Sequence, residues 1–551
     1  MFVGDDGAPP VLNDIVIYPR DRPLSNLSYM SANCDPMVYP LLFPRGDLDW
    51  IQGTLYVEAK RTPKRQTVTL LQYYAYRIAI REPFSPVHCS GKLFQQYLVD
   101  AYVKAEASKL DFLRRNQSTL RVEKYRGLMD HMHTASASQT VLTGKVVILP
   151  SSYSGSPRAM QQNYQDAMAI VCKYGKPDIF LTFTCNPKLQ EITGSLGPRQ
   201  YAQDRPDLVA RVFKRHLEEL LKDITERHVL GVPVAYVHVI EFQKRGLPHA
   251  HMLIILDQVS KLRNPLDIDS LISAEIPDKV TQAALFDVVQ SCMVHGPCGT
   301  LKPQSVCMEA GQCTKEYPKK FCNATAITGN GYPVYRRRDD GKTVRVAGHD
   351  LDNRWIVPYN PFLSQKYQAH INVEACLSIR SVKYLFKYVY KGHDCANVEV
   401  IENDHLDHDE IRHYLDTRYV SPPEAFWRLF EYRLHGQSHT IIRLPVHLPE
   451  QNSVYFTPGH EEEALNREAS ITSHLIAWFA LNRHDAEARQ LLYHEVPCNY
   501  IFTSSKRKWS PRKLGGDRII SRMFAVNPAD RELSCLRILL LHVRGHMVMK
   551  T

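Results

Sequence analysis

The stretch from Val232 to Leu256 leaves the chain little choice of structure. Val232–Gln243 reads as a strand, Lys244-Arg-Gly-Leu-Pro248 is turn chemistry, and His249-Ala-His-Met-Leu-Ile-Ile-Leu256 reads as the returning strand. Two extended runs joined by such a turn make an antiparallel hairpin. Residues i and i+2 of a strand project from one face, so His249 and His251 could hold one metal between two imidazoles. Glu241 and Gln243 share a face of the opposing strand, and the hairpin folds them back towards the histidines. A carboxylate or amide oxygen plus two imidazoles leaves positions open for a phosphate oxygen and water, as catalysis by Mg2+ or Mn2+ requires. The bland alternative is a solvated sheet face, which needs polar residues at alternate positions in any case.

A His-x-His pair alone proves little. With 24 histidines in 551 residues, about one such pair is expected by chance. The chain has a second, His131-Met-His133, which is followed by the polar run Thr-Ala-Ser-Ala-Ser. His249 and His251 instead lead into Met-Leu-Ile-Ile-Leu opposite another apolar strand, which favours them as ligands.

Around the hairpin the pattern predicts a helix over Gln161–Tyr174 stopped by Gly175, a strand over Asp178–Cys185 closed by Asn186-Pro187, and a long amphipathic helix from Pro206 to Arg227. Strand, helix and hairpin make an α+β core. Upstream, a Pro-rich start gives way to helical spacing at Leu70, Leu71, Tyr74, Ile78 and again at Leu93, Tyr97, Leu98, Tyr102. Arg61, Lys64, Arg65, Arg77 and Arg81 along this part are either solvated charge or a phosphate-binding surface. Downstream, helical patches such as Glu461–Asn482 alternate with the basic run Lys506–Lys513, which is either a nuclear-import or nucleic-acid patch or a solvated loop.

Composition bounds the rest. A net charge of +10 and 44% hydrophobic residues suit a chain that buries real cores, and exclude wholesale disorder. No run approaches the roughly 18 apolar residues of a membrane span, and the N-terminus lacks the pattern of a secretory signal, so neither a membrane nor a secreted protein is expected. The 13 cysteines are odd in number and mostly scattered, which points to reduced cytosol or nucleus.

Five cysteines nevertheless sit together. Cys292, His295, Cys298, Cys307, Cys313 and Cys322 are six candidate ligands in the Gly-, Cys- and Lys-rich segment 285–360, which lacks apolar periodicity. A closed Zn2+ site would hold such a segment together, although the spacing is not two clean Cys-x2-Cys pairs, and free reduced thiols are the alternative. Gly341-Lys342-Thr343 ends like a phosphate loop, but Arg336 stands where its first glycine should be, so no ATP site is expected in this chain.

The last constellation is Tyr384-Leu-Phe-Lys387-Tyr388-Val-Tyr-Lys391 on a predicted helix from Leu377 to Tyr390. A period of four puts Tyr384 and Tyr388 near one face, each with a lysine, Lys387 or Lys391, one turn beyond. An ammonium there favours phenolate and neutralises phosphate, as tyrosine attack on a phosphodiester needs. Aromatic residues at this spacing also serve as ordinary core packing.

Phe180-Leu-Thr-Phe-Thr-Cys-Asn-Pro187, Glu241-Phe-Gln-Lys-Arg-Gly-Leu-Pro-His-Ala-His-Met-Leu253 and Lys383-Tyr-Leu-Phe-Lys-Tyr-Val-Tyr-Lys-Gly392 together resemble, in order and content, the three rolling-circle replication motifs of Helitron transposon proteins. Asp35–Gly46 looks like the opening of the Helitron helicase-like N-terminal domain. Ala477–Arg483 and Leu536–Gly545 look like the segment that precedes the helicase in that family. The resemblance implies an α+β fold whose central antiparallel sheet is an HUH-endonuclease core, with flanking helices, a helical N-terminal region and a Cys-rich insertion. It divides the chain into a nucleic-acid-binding helical region (1–160), the endonuclease core (161–284 and 361–400), the Cys/His-rich insertion (285–360) and a C-terminal region (401–551) that would precede a helicase.

Carried over by position, His249 and His251 would be metal ligands completed by Glu241 or Gln243, and Tyr384 and Tyr388 the nucleophiles. The implied reaction is metal-dependent tyrosine attack on single-stranded DNA at transposon ends, in the nucleus, giving a 5′-phosphotyrosine and strand transfer. Full-length members of the family continue into a helicase and this sequence stops at Thr551, so the readings left open are a truncated element, a fragmentary gene model, or one half of a split system with a helicase supplied in trans. The alternative is a catalytically idle nucleic-acid-binding remnant.

Overall fold

The computed structural model describes residues 15–56, 66–81, 84–117, 121–124, 145–146, 153, 155–243, 246–328, 332–378, 384, 387, 419–449, 453–456, 463 and 472–547. Tyr388, Lys391, the pair His131 and His133, and Arg61, Lys64 and Arg65 lie outside the described residues.

Two helices lead into the core, α1 (Leu70–Ile78) and α2 (Lys92–Gln117). A capping box starts α1: the Thr69 side chain accepts from the Gln72 backbone N–H, and Gln72 returns the bond to the Thr69 N–H. The helix then buries Leu70, Leu71, Tyr74 and Ile78, the stripe read from their spacing. Helix α3 (Pro157–Tyr174) begins with Ser156 capping the Ala159 N–H and ends at Gly175, whose φ of 95° favours a residue without a Cβ.

Strand β1 (Ile179–Thr184) follows, then α4 (Pro206–Thr225), then the predicted hairpin of β2 (Pro233–Phe242) and β3 (Pro248–Leu256). Two strands absent from the sequence reading, β4 (Ile371–Ala375) and β5 (His435–Gln437), form the edges. All five make one antiparallel sheet in the order β4-β1-β3-β2-β5.

Alternation gives this sheet two different faces. Ile179, Leu181, Phe183, Ala250, Met252, Ile254, Ile371 and Val373 point into the largest core. There they meet Val209, Ala210, Phe213, Leu217, Leu220 and Ile224, the buried stripe of α4, together with α1, α2 and the later helix Pro422–Leu429. Each such side chain contributes about 1.5–3 kcal/mol on leaving water. The N-terminal helices thus share one core with the sheet.

On the opposite face Phe180, Val237, Leu253 and Ile255 pack under Ala167, Ile170 and Val171 of α3. This smaller core covers one end of the face, and the other end carries His249, His251, Thr182, Thr184 and Glu241.

Between β3 and β4 the chain makes an excursion that includes α5 (Ala283–Cys292). Segment 285–360, expected to be held by something other than a large core, has a small one of its own. It is built from Leu285, Phe286, Val289, Met293, Val344, Leu351, Trp355, Ile356 and Tyr359. Those residues are spread too irregularly to show a period.

Helix α6 (Pro422–Leu429) buries Phe426 and Trp427 against α4. The C-terminal part joins β6 (Thr440–Leu444) in parallel to β7 (Ile519–Met523), and packs them with α7 (His474–His484) and α8 (Arg531–His542) around Trp478 and Tyr493. The basic run is neither helix nor open loop: Lys508–Pro511 pairs with Tyr500–Thr503, burying Trp509 while Lys506 and Arg507 turn outward.

One carboxylate ties the C-terminal part to α3. Asp166 accepts from Arg522 Nε at 2.6 Å on one oxygen and from Arg443 Nη2 at 2.7 Å on the other. Asp166 and Arg522 are both buried.

The described residues are mixed helix and sheet, an α+β architecture. Among them no helix is long and apolar enough to cross a membrane.

Candidate functional site

The histidine face is assembled by register. Cross-strand pairing sets Thr182 beside His251 and Thr184 beside His249 on one side, and Val239 and Glu241 beside the same two histidines on the other. His249 Nδ1 lies 2.9 Å from Thr184 Oγ1, and His251 Nδ1 lies 3.0 Å from Thr182 Oγ1. With each Nδ1–H donated to a threonine oxygen, the Nε2 lone pair of each ring stays available to a metal, and the hydroxyls fix the ring planes.

His251 Nε2 stands 3.4 Å from Glu241 Oε2. His249 Nε2 is buried and has no hydrogen-bond partner among the described residues. An orphaned imidazole nitrogen next to a His–Glu pair is a donor set that fits a divalent cation.

Electrostatics favour the same use. Burial pushes the ionisation of His249 down to about 3, with the His251 and His370 rings adding to the shift, so the ring is neutral at physiological pH. His370 sits at the start of β4, where its carbonyl accepts from the Thr184 N–H at 2.9 Å, and burial lowers its ionisation too.

Farther along the face Phe180 lies parallel to two rings at once, to Tyr384 with centroids 4.2 Å apart and to His251 with centroids 5.9 Å apart. A crevice between them is lined by Phe180, Val239, His251, Leu253 and Tyr384. The Tyr384 hydroxyl donates to Glu374 Oε2 at 3.3 Å, while Asn372 Nδ2 donates to the other Glu374 oxygen at 2.9 Å.

The predicted residues therefore divide. His249, His251 and Glu241 come together, and Tyr384 is on the same face. Gln243 opens the turn: its N–H donates to the Leu247 carbonyl at 3.1 Å and its side chain is exposed, so Glu241 is the oxygen ligand the geometry supports. Lys387 is exposed. An ammonium was expected to favour the phenolate, but the Tyr384 hydroxyl faces a carboxylate. Burial first, and then Glu374, push its ionisation well above the ordinary tyrosine range. The phenol is held protonated, with an acceptor already in place.

Thr182, Thr184, His370 and Glu374 were not foreseen. The two threonines alternate with the apolar Leu181 and Phe183 in a strand whose pattern is legible in the sequence, so the signal is present. Glu374 lies on a five-residue strand, Ile-Asn-Val-Glu-Ala, too short to stand out.

Of the six zinc candidates, His295, Cys298, Cys307 and Cys313 bring one ligand atom each within 4.8 Å of one another. The other two turn to backbone carbonyls, Cys292 Sγ to Gln368 at 3.8 Å and Cys322 Sγ to Ala324 at 2.8 Å.

Buried neutral histidines give the fold a pH signature. His238, through burial and its neighbour His435, and His435, through burial, are each lowered to about 4, alongside His249 at about 3. The unfolded chain takes up these protons near the ordinary value of 6.5, before the folded chain does. Their contribution to stability is therefore complete above about pH 6.5 and is lost as the pH falls towards about 4. In EDTA, the urea midpoint is expected to drop steadily across that window. A flat profile would show that these rings are not held neutral.

Residues 73–254 match the family model of the Helitron helicase-like domain at N-terminus. The match takes in the segment 180–187 and the block at 241–253, while the segment 383–392 lies beyond it. No curated protein matches the chain.

Proposed function

We propose, from the match of residues 73–254 to the Helitron helicase-like domain and from the geometry of the histidine face, that this is a transposon-related protein whose histidine face is the site of an HUH-class endonuclease and strand transferase acting on single-stranded DNA. The observation that carries this reading is the buried, unpartnered Nε2 of His249 beside the His251–Glu241 pair.

His249, His251 and Glu241 would hold a Mg2+ or Mn2+ ion, with Thr184 and Thr182 fixing the two rings. When bound, such an ion polarises the scissile phosphodiester and offsets the charge that develops on it. Tyr384 is the described nucleophile. Its oxygen forms the new bond to phosphorus, the phosphorus–O3′ bond breaks, and the phenolic proton passes to Glu374 Oε2, the atom it already faces. The products are a 5′-phosphotyrosine and a 3′ end that leaves as a hydroxyl after taking a proton from solvent.

Stacking on Phe180 keeps the Tyr384 ring parallel to the Phe180 and His251 rings, which limits the freedom lost on reaching the reactive geometry. Tyr388, four residues on in sequence, would supply the second nucleophile needed for a second cleavage and a transfer. The proposed setting is transposon ends in the nucleus.

The test is incubation of the purified chain with an end-labelled single-stranded oligonucleotide and Mn2+, followed by a denaturing gel. A labelled covalent band is expected that needs metal and disappears when Tyr384 and Tyr388 are both phenylalanine. DNA binding without a covalent band, across varied sequences and helicase preparations, would leave an idle nucleic-acid-binding remnant.

A further inference from the structure

We propose that His295, Cys298, Cys307 and Cys313 bind one Zn2+ ion, and that this ion is the brace that sets the edge strand β4 against the histidine face. This inference is independent of the nuclease reading.

One nitrogen and three sulfurs whose ligand atoms all lie within 4.8 Å of one another are the set that tetrahedral zinc takes in closed structural sites. The local backbone is built to present them. Cys307 and Cys313 flank a tight hairpin, Met308–Glu309 paired with Gln312–Cys313, turned at Ala310 and Gly311 with φ of 47° and 77°. Within it the Thr314 N–H donates to the Cys307 carbonyl at 2.8 Å, and the Lys315 N–H points at Cys313 Sγ from 3.4 Å. A backbone amide aimed at sulfur stabilises a thiolate, the form that binds metal. His295 Nε2 lies 3.4 Å from Cys313 Sγ, and its ring is stacked on Tyr317 with centroids 4.2 Å apart.

Without a cation the cluster has little to hold it. The hairpin strands are two residues each, and Lys302, Pro303, Gln304, Glu309 and Gly311 around them are exposed. Four ligands from two stretches, 295–298 and the 307–313 hairpin, would be fixed by one ion, which is how small segments with thin cores are ordered.

The brace reaches the sheet through the residues next to His295. The His295 N–H donates to the Trp355 carbonyl at 2.8 Å, and the Val357 N–H donates to the Met293 carbonyl at 2.8 Å. Met293 Sδ in turn accepts from the Ile371 N–H, the first amide of β4, at 3.4 Å. From Ile371 the strand runs on to Glu374, which accepts from the Tyr384 hydroxyl, so the path from His295 reaches that carboxylate through Met293 and the first amide of β4.

The test is elemental analysis of the purified full chain after gel filtration in metal-free buffer. About one zinc per chain is expected, falling to background in Cys307→Ser and in Cys313→Ser. Cys292→Ser and Cys322→Ser remove cysteines of the same segment from outside the quartet and are expected to keep the zinc. In case the quartet variants fail to fold, unsubstituted chain refolded with Co2+ is expected to show the intense visible bands of a tetrahedral thiolate site. Hydrogen exchange of the amides at 371–375 is expected to quicken when zinc is stripped. Zinc absent from the unsubstituted chain, or lost equally with Cys292 or Cys322, would overturn the site. Unchanged exchange at 371–375 on zinc removal would overturn the bracing role.

Discussion

In the His249→Ala protein, metal-dependent cleavage of single-stranded DNA is expected to fall by about a thousandfold or more. His249 Nε2 is the one site nitrogen that is buried with no partner among the described residues, so its removal deletes a ligand that nothing nearby replaces. The informative comparison is Thr184→Val, which is nearly isosteric and leaves both histidines. It removes only the hydroxyl at 2.9 Å from His249 Nδ1, so the ring loses its orientation but not its donor. Loss of such an outer partner typically costs about 10–100-fold in metal affinity, so the valine variant should be rescued by raising Mn2+ while the alanine variant is not. Equal, unrescued loss in both would mean that Thr184 matters for folding and that the metal assignment is wrong. Unchanged cleavage in His249→Ala would remove the metal centre from the face altogether.

The second large effect is on stability. Asp166→Ala is expected to lower the unfolding free energy by about 3–5 kcal/mol, because it leaves the buried Arg522 guanidinium without its counter-charge. An exposed ion pair would contribute far less. The loss should be local before it is global. Hydrogen exchange should quicken first in α3 and along 519–523, where Asp166 joins the C-terminal part to the sheet. Pairing Asp166→Ala with Arg522→Leu should recover part of the loss, since both the charge and its orphan are then gone. A single substitution that shifts the denaturation midpoint no more than an ordinary surface change would show that the Asp166 bridge is solvated.

Much of this was readable from the chain, and the reasons follow the range of the interactions. The hairpin and the stripe of α4 are local patterns of many residues, with periods near 2 and 3.6, so Glu241, His249 and His251 could be placed on facing strands before any fold was known. Thr182 and Thr184 were within reach by the same alternation but lacked a chemical reason to be chosen. The edge strands were not legible, because three to five residues carry too little pattern and their partners are remote in sequence. That is why Glu374 was missed, and why the hydroxyl of Tyr384 was assigned an ammonium by helix spacing when its observed neighbour comes from another strand. In the cysteine segment the sequence offered six ligands and could not choose. Only the turn at Ala310–Gly311 and the contacts of Cys292 and Cys322 separate the four that converge from the two that do not.

The order of the strands has a consequence for how the protein comes into being. Both edges of the sheet are late in the chain: β4 closes Ile179 against Ala375, and β5 closes Val237 against Gln437. During synthesis at about 5–20 residues per second, roughly ten to forty seconds separate the emergence of His251 from that of Gln437. Throughout the first part of that interval a nascent chain holds the histidines and their threonines but has neither Tyr384 nor Glu374. On the mechanism proposed above, a chain cut short before residue 371 would lack both the nucleophile Tyr384 and its proton acceptor Glu374, and so could not carry out the first cleavage.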